Sequence, residues 1–401
     1  FGVEIKRLKG RIALKYTIKA LFTYVLRAVL HVFYLFPIKK NKILFLSFSG
    51  KAYACNPKYI YQYLRSQYGD AFKYIWILPE NKDSEELSGC MIVPFKTLAY
   101  FYHMMTAAVI VQNQGPGSYL PLRKKQMFIN TWHGGGAYKR VGVDADMTPE
   151  QTLSTKLSAE LTDHMISGCR RFSEVMSHSK MLPIEKMLEI GMPRNDILMS
   201  AHPEITEKVK RTYALDPDTH IVIYAPTYRG SEGSAGAEHN DLNITGCLSA
   251  LSERFGGKWI AFYRVHYFLS SSIPVTEQVI DVSDYPDMQE LLCASDVLIT
   301  DYSSSMWDMS LTGKPCFIYA TDVADYQQER DFYTPMEEWP FPTAQNNGEL
   351  ESVIKNFDEQ KYADDIKHHH EALGSCETGH ASRTVGDFIY QKCFADNKQR
   401  N

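Results

Sequence analysis

No two cysteines in this chain form a CxxC pair, and none has a histidine at zinc-finger spacing. The eight cysteines are scattered between Cys55 and Cys393, the pattern of small buried residues in a reducing compartment. A disulfide framework and a structural zinc site are therefore not expected. Bulk charge is small too, −4 from 43 basic and 47 acidic residues, which argues for neither a nucleic-acid binder nor a strongly acidic partner. No internal repeat is visible, and the one biased tract is the Gly/Ser-rich run Gly230–Gly236, a candidate mobile cover for a cleft. No cleavable signal is legible, and the chain starts at Phe1 rather than Met. The sharpest absence is local: no Asp or Glu occurs between Glu4 and Asp70.

What fills that acid-free stretch is basic and apolar. Residues 1–42 interleave Lys6, Arg7, Lys9, Arg11, Lys15, Lys19 and Arg27 with hydrophobic runs and close on Pro37, Lys39, Lys40 and Lys42. Tyr16–Phe36 approaches the length of a spanning helix, yet Lys19, Arg27 and His31 interrupt it, each costly at the centre of a bilayer. A basic amphipathic helix lying on an anionic membrane surface is the expectation, ahead of self-packing or oligomer contact and of a true span.

The remaining length suits two domains, and 44% hydrophobic with 22% charged residues is the composition of a folded protein. Short apolar runs at Ile43–Phe48, Tyr74–Leu78, Ala107–Gln112 and Met127–Thr131 read as buried strands, with Glu174–Ser177 a weaker one. Helical stretches at Pro57–Tyr68 and Phe95–Met105 lie between them. A second series runs through Ile221–Ala225, Trp259–Tyr263, Val279–Asp281, Val297–Thr300 and Cys316–Tyr319, with helices at Asp287–Ala294 and Ser304–Thr312. The expected architecture is α/β: a basic N-terminal segment (1–42), one Rossmann-like domain (43–200) and a second (201–401), its last helix packing back. The two would face a central cleft at the carboxyl ends of their strands.

Four constellations fall at those strand ends. Trp132-His133-Gly134-Gly135-Gly136 offers a histidine suited to taking a hydroxyl proton, with glycines that admit a phosphate or merely turn the chain. Lys139 and Arg140 follow, ready to hold an anionic acceptor. Thr227 and Arg229 end the next candidate strand, and Arg264 with His266 end the one after; arginine's planar fork suits phosphate, although a strand-end Arg is often a salt-bridge residue. Asp301, Ser303, Ser304 and Ser305 then open a helix, where hydroxyls and N–H groups can cradle a phosphate and one Ser alone would satisfy a cap. No second carboxylate accompanies Asp301, so no built-in metal is expected. Gly191–Asp196 reads as a turn.

In order along the chain, Thr131-Trp132-His133-Gly134, Gly191–Asp196, Tyr224–Arg229, Arg264-Val265-His266, Thr300–Ser304, Lys314-Pro315, Tyr326, Arg330 and Phe332-Tyr333 resemble the CDP-glycerol glycerophosphotransferase family of teichoic acid and capsule polymerases and primases. The resemblance covers roughly residues 125–335. It implies the GT-B arrangement of two Rossmann-like domains, monotopic membrane association in the bacterial cytoplasm, and a CDP-polyol donor bound mainly by the second domain, with no built-in cofactor. It also implies His133 as catalytic base and His266, Arg229, Ser303 and Ser304 at the pyrophosphate, His266 counting with His133 among the catalytic candidates; Trp132, Gly134, Lys139 and Arg140 are expected, from their place in the first constellation, toward a lipid-linked or polymeric acceptor. Departures fall at Gly135–Lys139, at Tyr267 where Pro is common, and at Asp331 where Gly is usual. They bear on the identity of the polyol more than on the reaction. Rival readings are a sugar glycosyltransferase of the same fold, a nucleotide-sugar epimerase or hydrolase, and a non-catalytic membrane scaffold.

Overall fold

In the computed structural model, which describes residues 19–80, 85–145, 147–227, 241–265, 276–324, 326 and 331–394, two all-parallel sheets form the body of the chain. The first comprises β1 (Lys39–Leu46), β2 (Lys73–Ile77), β3 (Met91–Val93), β4 (Ala107–Gln112), β5 (Met127–Asn130), β6 (His164–Ser167) and β7 (Met187–Glu189), in the order β3-β2-β1-β4-β5-β6-β7. The second comprises β8 (His220–Ala225), β9 (Trp259–Tyr263), β10 (Val279–Asp281), β11 (Val297–Thr300), β12 (Cys316–Tyr319) and β13 (Thr343–Ala344), in the order β10-β9-β8-β11-β12-β13. Ile43–Leu46, Val109–Val111 and Ile221–Tyr224 are buried along their whole length, as strands covered by helices on both faces must be. Each sheet reverses its direction of winding once, between β1 and β4 and between β8 and β11. Those two points, at the strands' carboxyl ends, are where a doubly wound sheet opens a crevice for ligand.

Two differences from the sequence reading have local causes. The segment expected as a strand at Glu174–Ser177 lies inside the helix Arg170–Ser179. Its buried residues Phe172, Val175, Met176 and Ser179 recur at helical spacing with Glu174 outward, and the Cys169 sulfur accepts from the Phe172 N–H at the start. Strands β3, β6, β7 and β13 are two to four residues long, too short for periodicity to show. Arg229, His266, Arg330 and the run Gly230–Gly236 lie outside the described residues.

The last helix, Ala381–Phe394, crosses back onto the first domain. Val385 and Ile389 join its core, Tyr390 stacks on Tyr68 at 4.1 Å, and the hydroxyls of Tyr63 and Tyr68 both donate to Asp387 at 2.7 Å. Asp196 starts that helix by accepting from the N–H groups of Ala381 and Ser382 at 2.9 and 2.8 Å.

Residues 19–30 are helical and sit against the first sheet. Leu26, Leu30 and Phe33 supply the inward face, and Arg27 donates to the Ser118 carbonyl at 2.8 Å. No described helix is long and apolar enough to cross a membrane.

Candidate active site between the two domains

After β5 the chain bends sharply at Trp132, whose φ of +50° is uncommon for a bulky side chain. Two bonds hold it there: its N–H donates to Asn130 Oδ1 and its carbonyl accepts from Asn56 Nδ2, both at 3.0 Å. The bend presents His133 at the end of the sheet, stacked on the Trp132 indole at 4.5 Å and edged by Phe48 from the end of β1. Nδ1 of His133 lies 3.0 Å from the carbonyl oxygen of Asn113, just past β4. A carbonyl can only accept, so the ring proton is fixed on Nδ1 and Nε2 keeps its lone pair. Burial lowers the imidazole to about 4; the Asn113 carbonyl opposes this, while Arg194, Lys180 and Lys139 push the same way. His133 is thus a neutral base of defined tautomer at the switch point of the first sheet.

The second domain faces it. Thr227, past β8, and Ser303 and Ser304, past β11, line a cavity of about 320 Å³ together with Trp132, His133 and Gly134. Gly134 permits this approach, since a Cβ there would stand 3.1 Å from the Ser304 Cβ. Gly135 serves packing instead: a Cβ would meet the Trp307 indole nitrogen at 2.6 Å. Lys139 and Arg140 also line the cavity. Arg140 pairs with Asp331 at 2.8 Å, and Lys139 and Phe332 form an antiparallel bridge between the domains. Asp331 stands at φ +54°, where the related glycine would be unstrained.

Ser303 and Ser304 also border a second cavity of about 320 Å³ with Arg264, Ser305, Arg194 and Asp308. Arg264 donates to the carbonyls of Val282 and Tyr285 at 3.2 and 2.8 Å, and Ser305 donates its hydroxyl to Ser303 Oγ at 3.0 Å. Ser304, at the cap of the helix Ser305–Ser310, makes no side-chain cap bond. Asp301, expected at the phosphate, is tied to Thr227. Both carboxylate oxygens of the buried Asp301 accept from the Thr227 N–H at 2.9 Å, and Oδ1 also takes the Thr227 hydroxyl at 2.6 Å. That carboxylate fixes the loop after β8, and a negative charge so placed would repel a pyrophosphate.

Sequence reasoning missed the groups that hold the domains in register. Lys58 bridges to Asp287 at 2.7 Å and Glu290 at 3.0 Å, and Arg194 to Asp308 at 2.7 Å, all five charged residues being buried. Burial would lower Lys58, but the two carboxylates outweigh it and keep the ammonium charged. Glu377, pushed up to about 7 by burial, accepts from Trp307 Nε1 and Asn195 Nδ2 at 3.0 Å and from the Met192 N–H at 2.9 Å. The turn Gly191–Asp196 is therefore a junction in which Arg194, Asn195 and Asp196 each bind a side chain or helix end far along the chain.

The sequence family described as CDP-Glycerol:Poly(glycerophosphate) glycerophosphotransferase matches residues 28–391. A teichoic acid poly(glycerol phosphate) polymerase of Staphylococcus epidermidis is 32% identical over 88% of this chain, which spans about half (51%) of that protein. One of Bacillus spizizenii is 29% identical over 94% of this chain and 98% of its own length. Among solved structures, a variant of the wall teichoic acid polymerase TagF soaked with CDPG superposes with a TM-score of 0.83 at 28% identity, covering 96% of this chain and 98% of that one.

Proposed function

Because the chain belongs to the CDP-glycerol:poly(glycerophosphate) glycerophosphotransferase family, we propose that this transferase moves glycerol phosphate from CDP-glycerol to a terminal hydroxyl of a lipid-linked or polymeric polyol-phosphate acceptor of the teichoic acid kind. The observation that carries the reading is the neutral His133, its Nδ1 committed to Asn113, opposite Ser303 and Ser304 in one interdomain cavity. The acceptor hydroxyl gives its proton to Nε2 as its oxygen attacks the β-phosphorus of the donor. The bond from that phosphorus to the bridging oxygen breaks, CMP leaves, and a phosphodiester forms. Charge gathering on the leaving oxygens is met by the Ser303–Ser305 turn, with Arg264 close by and Arg229 and His266 as further candidates. Positioning and charge stabilisation are what this reaction chiefly requires of a protein. The two facing domains correspond to the GT-B arrangement, with the acceptor on the first and the donor on the second. The test is CMP release from CDP-glycerol with and without a lipid-linked glycerol phosphate acceptor. Release without acceptor dependence, or from a sugar nucleotide instead, would overturn the reading.

The N-terminal helix supports a peripheral place on an anionic membrane. Nine of the fourteen large hydrophobics exposed among the described residues lie between Leu21 and Phe36. Phe22, Val25 and Val29 are exposed along the helix and Val32 in the turn after it, with Lys19, Lys39 and Lys40 in the same segment. Replacing Phe22 and Val29 by Asp should lower binding to vesicles containing anionic lipid by roughly tenfold or more, given about 1.5–3 kcal/mol per buried large apolar side chain. Co-sedimentation measures it. Undiminished pelleting of the double variant would remove this helix as the anchor.

A further inference from the structure

Behind Trp132, on the side of the first domain, lies a separate cavity of about 200 Å³ whose polar wall is Asn130, Ser154, Thr155, Ser158 and Lys180. Ser154, Thr155 and Ser158 share one face of the helix Pro149–Leu161. None of their hydroxyls makes a hydrogen bond among the described residues, although Thr162, one turn past Ser158, bonds back to the Ser158 carbonyl. The Asn130 carbonyl oxygen is committed to the Trp132 N–H, which directs its amide nitrogen away from that bond and leaves it without an acceptor among the described residues. Lys180 completes the set. Its ammonium stands 4.4 Å over the Trp132 ring, and no carboxylate among the described residues lines the cavity. Burial draws the lysine down to about 8, the condition an entering anion would reverse.

Four neutral donors and one cation, with no acid among them, make a site for phosphate oxygens. Its location narrows the phosphate to one partner of the reaction. The indole of Trp132 borders both this cavity and the one that holds His133, so the pocket opens beside the base on the first domain, opposite the serines of the second. Lys180 lies no farther from the His133 ring than the sum of its own distance to the indole and the stacking distance of the two rings. Gly115 and Pro116 line the same pocket, and Ser118, two residues further, binds Arg27 of the apolar N-terminal helix. Glu150, in the first turn of the hydroxyl-bearing helix, pairs with Lys19. A chain tethered to a membrane beneath that helix would pass this pocket on its way to His133.

We propose that the Lys180 pocket binds the phosphodiester group next to the reacting hydroxyl of the acceptor, and so selects an acceptor that already carries a polyol phosphate. This rests on the transfer reaction proposed above and adds the acceptor's recognition site. The pocket holds the last linkage of the growing chain while the terminal hydroxyl reaches past Trp132 to Nε2 of His133. After transfer, the new phosphodiester takes the place of the old one when the chain advances by a unit.

The experiment is steady-state CMP release with a short lipid-linked glycerol phosphate oligomer as the varied acceptor. With Lys180→Met, the acceptor KM should rise about tenfold or more, the size of one charge-assisted contact, and the KM for CDP-glycerol should stay within about twofold. Lys180→Arg should recover most of the loss. A matching oligomer with an uncharged methylphosphonate at its last linkage should bind wild type about as weakly as the natural oligomer binds Lys180→Met, and Lys180→Met should discriminate little between the two. This comparison holds even if the substitution disturbs folding, because wild type alone reads the ligand's charge. Equal use of the phosphate and methylphosphonate oligomers by wild type would overturn the proposal. So would a rise in the donor KM, which would make the phosphate the donor's, or a fall in kcat alone, which would reduce Lys180 to a support for Trp132. If wild type shows no acceptor-dependent release, the transfer reading falls and this site falls with it.

Discussion

Acceptor-dependent CMP release should fall by about 10²–10⁴-fold when His133 is replaced by Ala, the range that a positioned general base contributes. The expectation follows from the tautomer. The Asn113 carbonyl fixes the ring proton on Nδ1, so one nitrogen, Nε2, can receive the hydroxyl proton, and alanine has nothing to put in its place. His133 is half-buried and makes one hydrogen bond among the described residues, so the thermal midpoint should move little while turnover collapses. Turnover within a few-fold of wild type would end the assignment of His133 as base.

The same environment sets a pH dependence. The active form is the neutral ring, and burial lowers its protonation to about 4. The acid limb of kcat/KM, which reports the free enzyme, should therefore fall with a midpoint near 4 and not near the ordinary histidine value of about 6.5. Activity should stay flat as pH drops from 7 toward 5 and decline only below that. The negative charge of a bound donor would favour the imidazolium, so the limb in kcat should lie higher than the limb in kcat/KM. Coincident limbs would mean that the donor phosphates do not approach this ring.

How much of this was readable without coordinates depended on the range of the interaction. Ala107–Gln112, Trp259–Tyr263, Val297–Thr300 and Cys316–Tyr319 announced themselves as continuous apolar runs because both faces of a parallel strand are covered. The strand-end residues Trp132, His133, Thr227, Ser303 and Ser304 followed, since a doubly wound sheet brings its carboxyl ends to one crevice. Residue type and position point Asp301 toward phosphate; that it also accepts from Thr227, 74 positions away, is a tertiary fact. Lys180 was invisible for the same reason. It follows a helix of which the short run Glu174–Ser177 reads as a weak strand, and nothing near it in sequence marks the Trp132 ring beneath it. Arg194 looked like part of a turn because its partner Asp308 is 114 positions on, and Asn195 reaches Glu377 across 182.

That Arg194–Asp308 pair is where a single substitution should cost the most stability. Asp308 is fully enclosed, Arg194 nearly so, and Asp308 Oδ2 also accepts from Gln289 Nε2 at 3.0 Å. Asp308→Ala leaves a guanidinium without its counter-charge in the joint between the domains, which should destabilise the folded form by about 3–5 kcal/mol. Arg194→Met should cost a similar amount by stranding the carboxylate. The double variant Arg194→Met/Asp308→Leu should recover much of the loss, because two apolar side chains of comparable size bury no unpaired charge. Denaturant midpoints for the four proteins would measure the coupling, and the additive sum of the two single losses in the double variant would show that the charges do not act as a pair. Activity adds a second reading of the same joint. Arg194 and Asp308 border the cavity shared with Ser303 and Ser304, and the Arg194 charge helps hold His133 neutral. In Asp308→Ala that charge is no longer offset, so any fully folded fraction should keep its acid limb at or below the wild-type position. In Arg194→Met the limb should move up toward neutral pH. An upward shift in Arg194→Met and none in Asp308→Ala, from two variants of similar instability, would tie the interdomain pair to the electrostatics of the base, and not merely to folding.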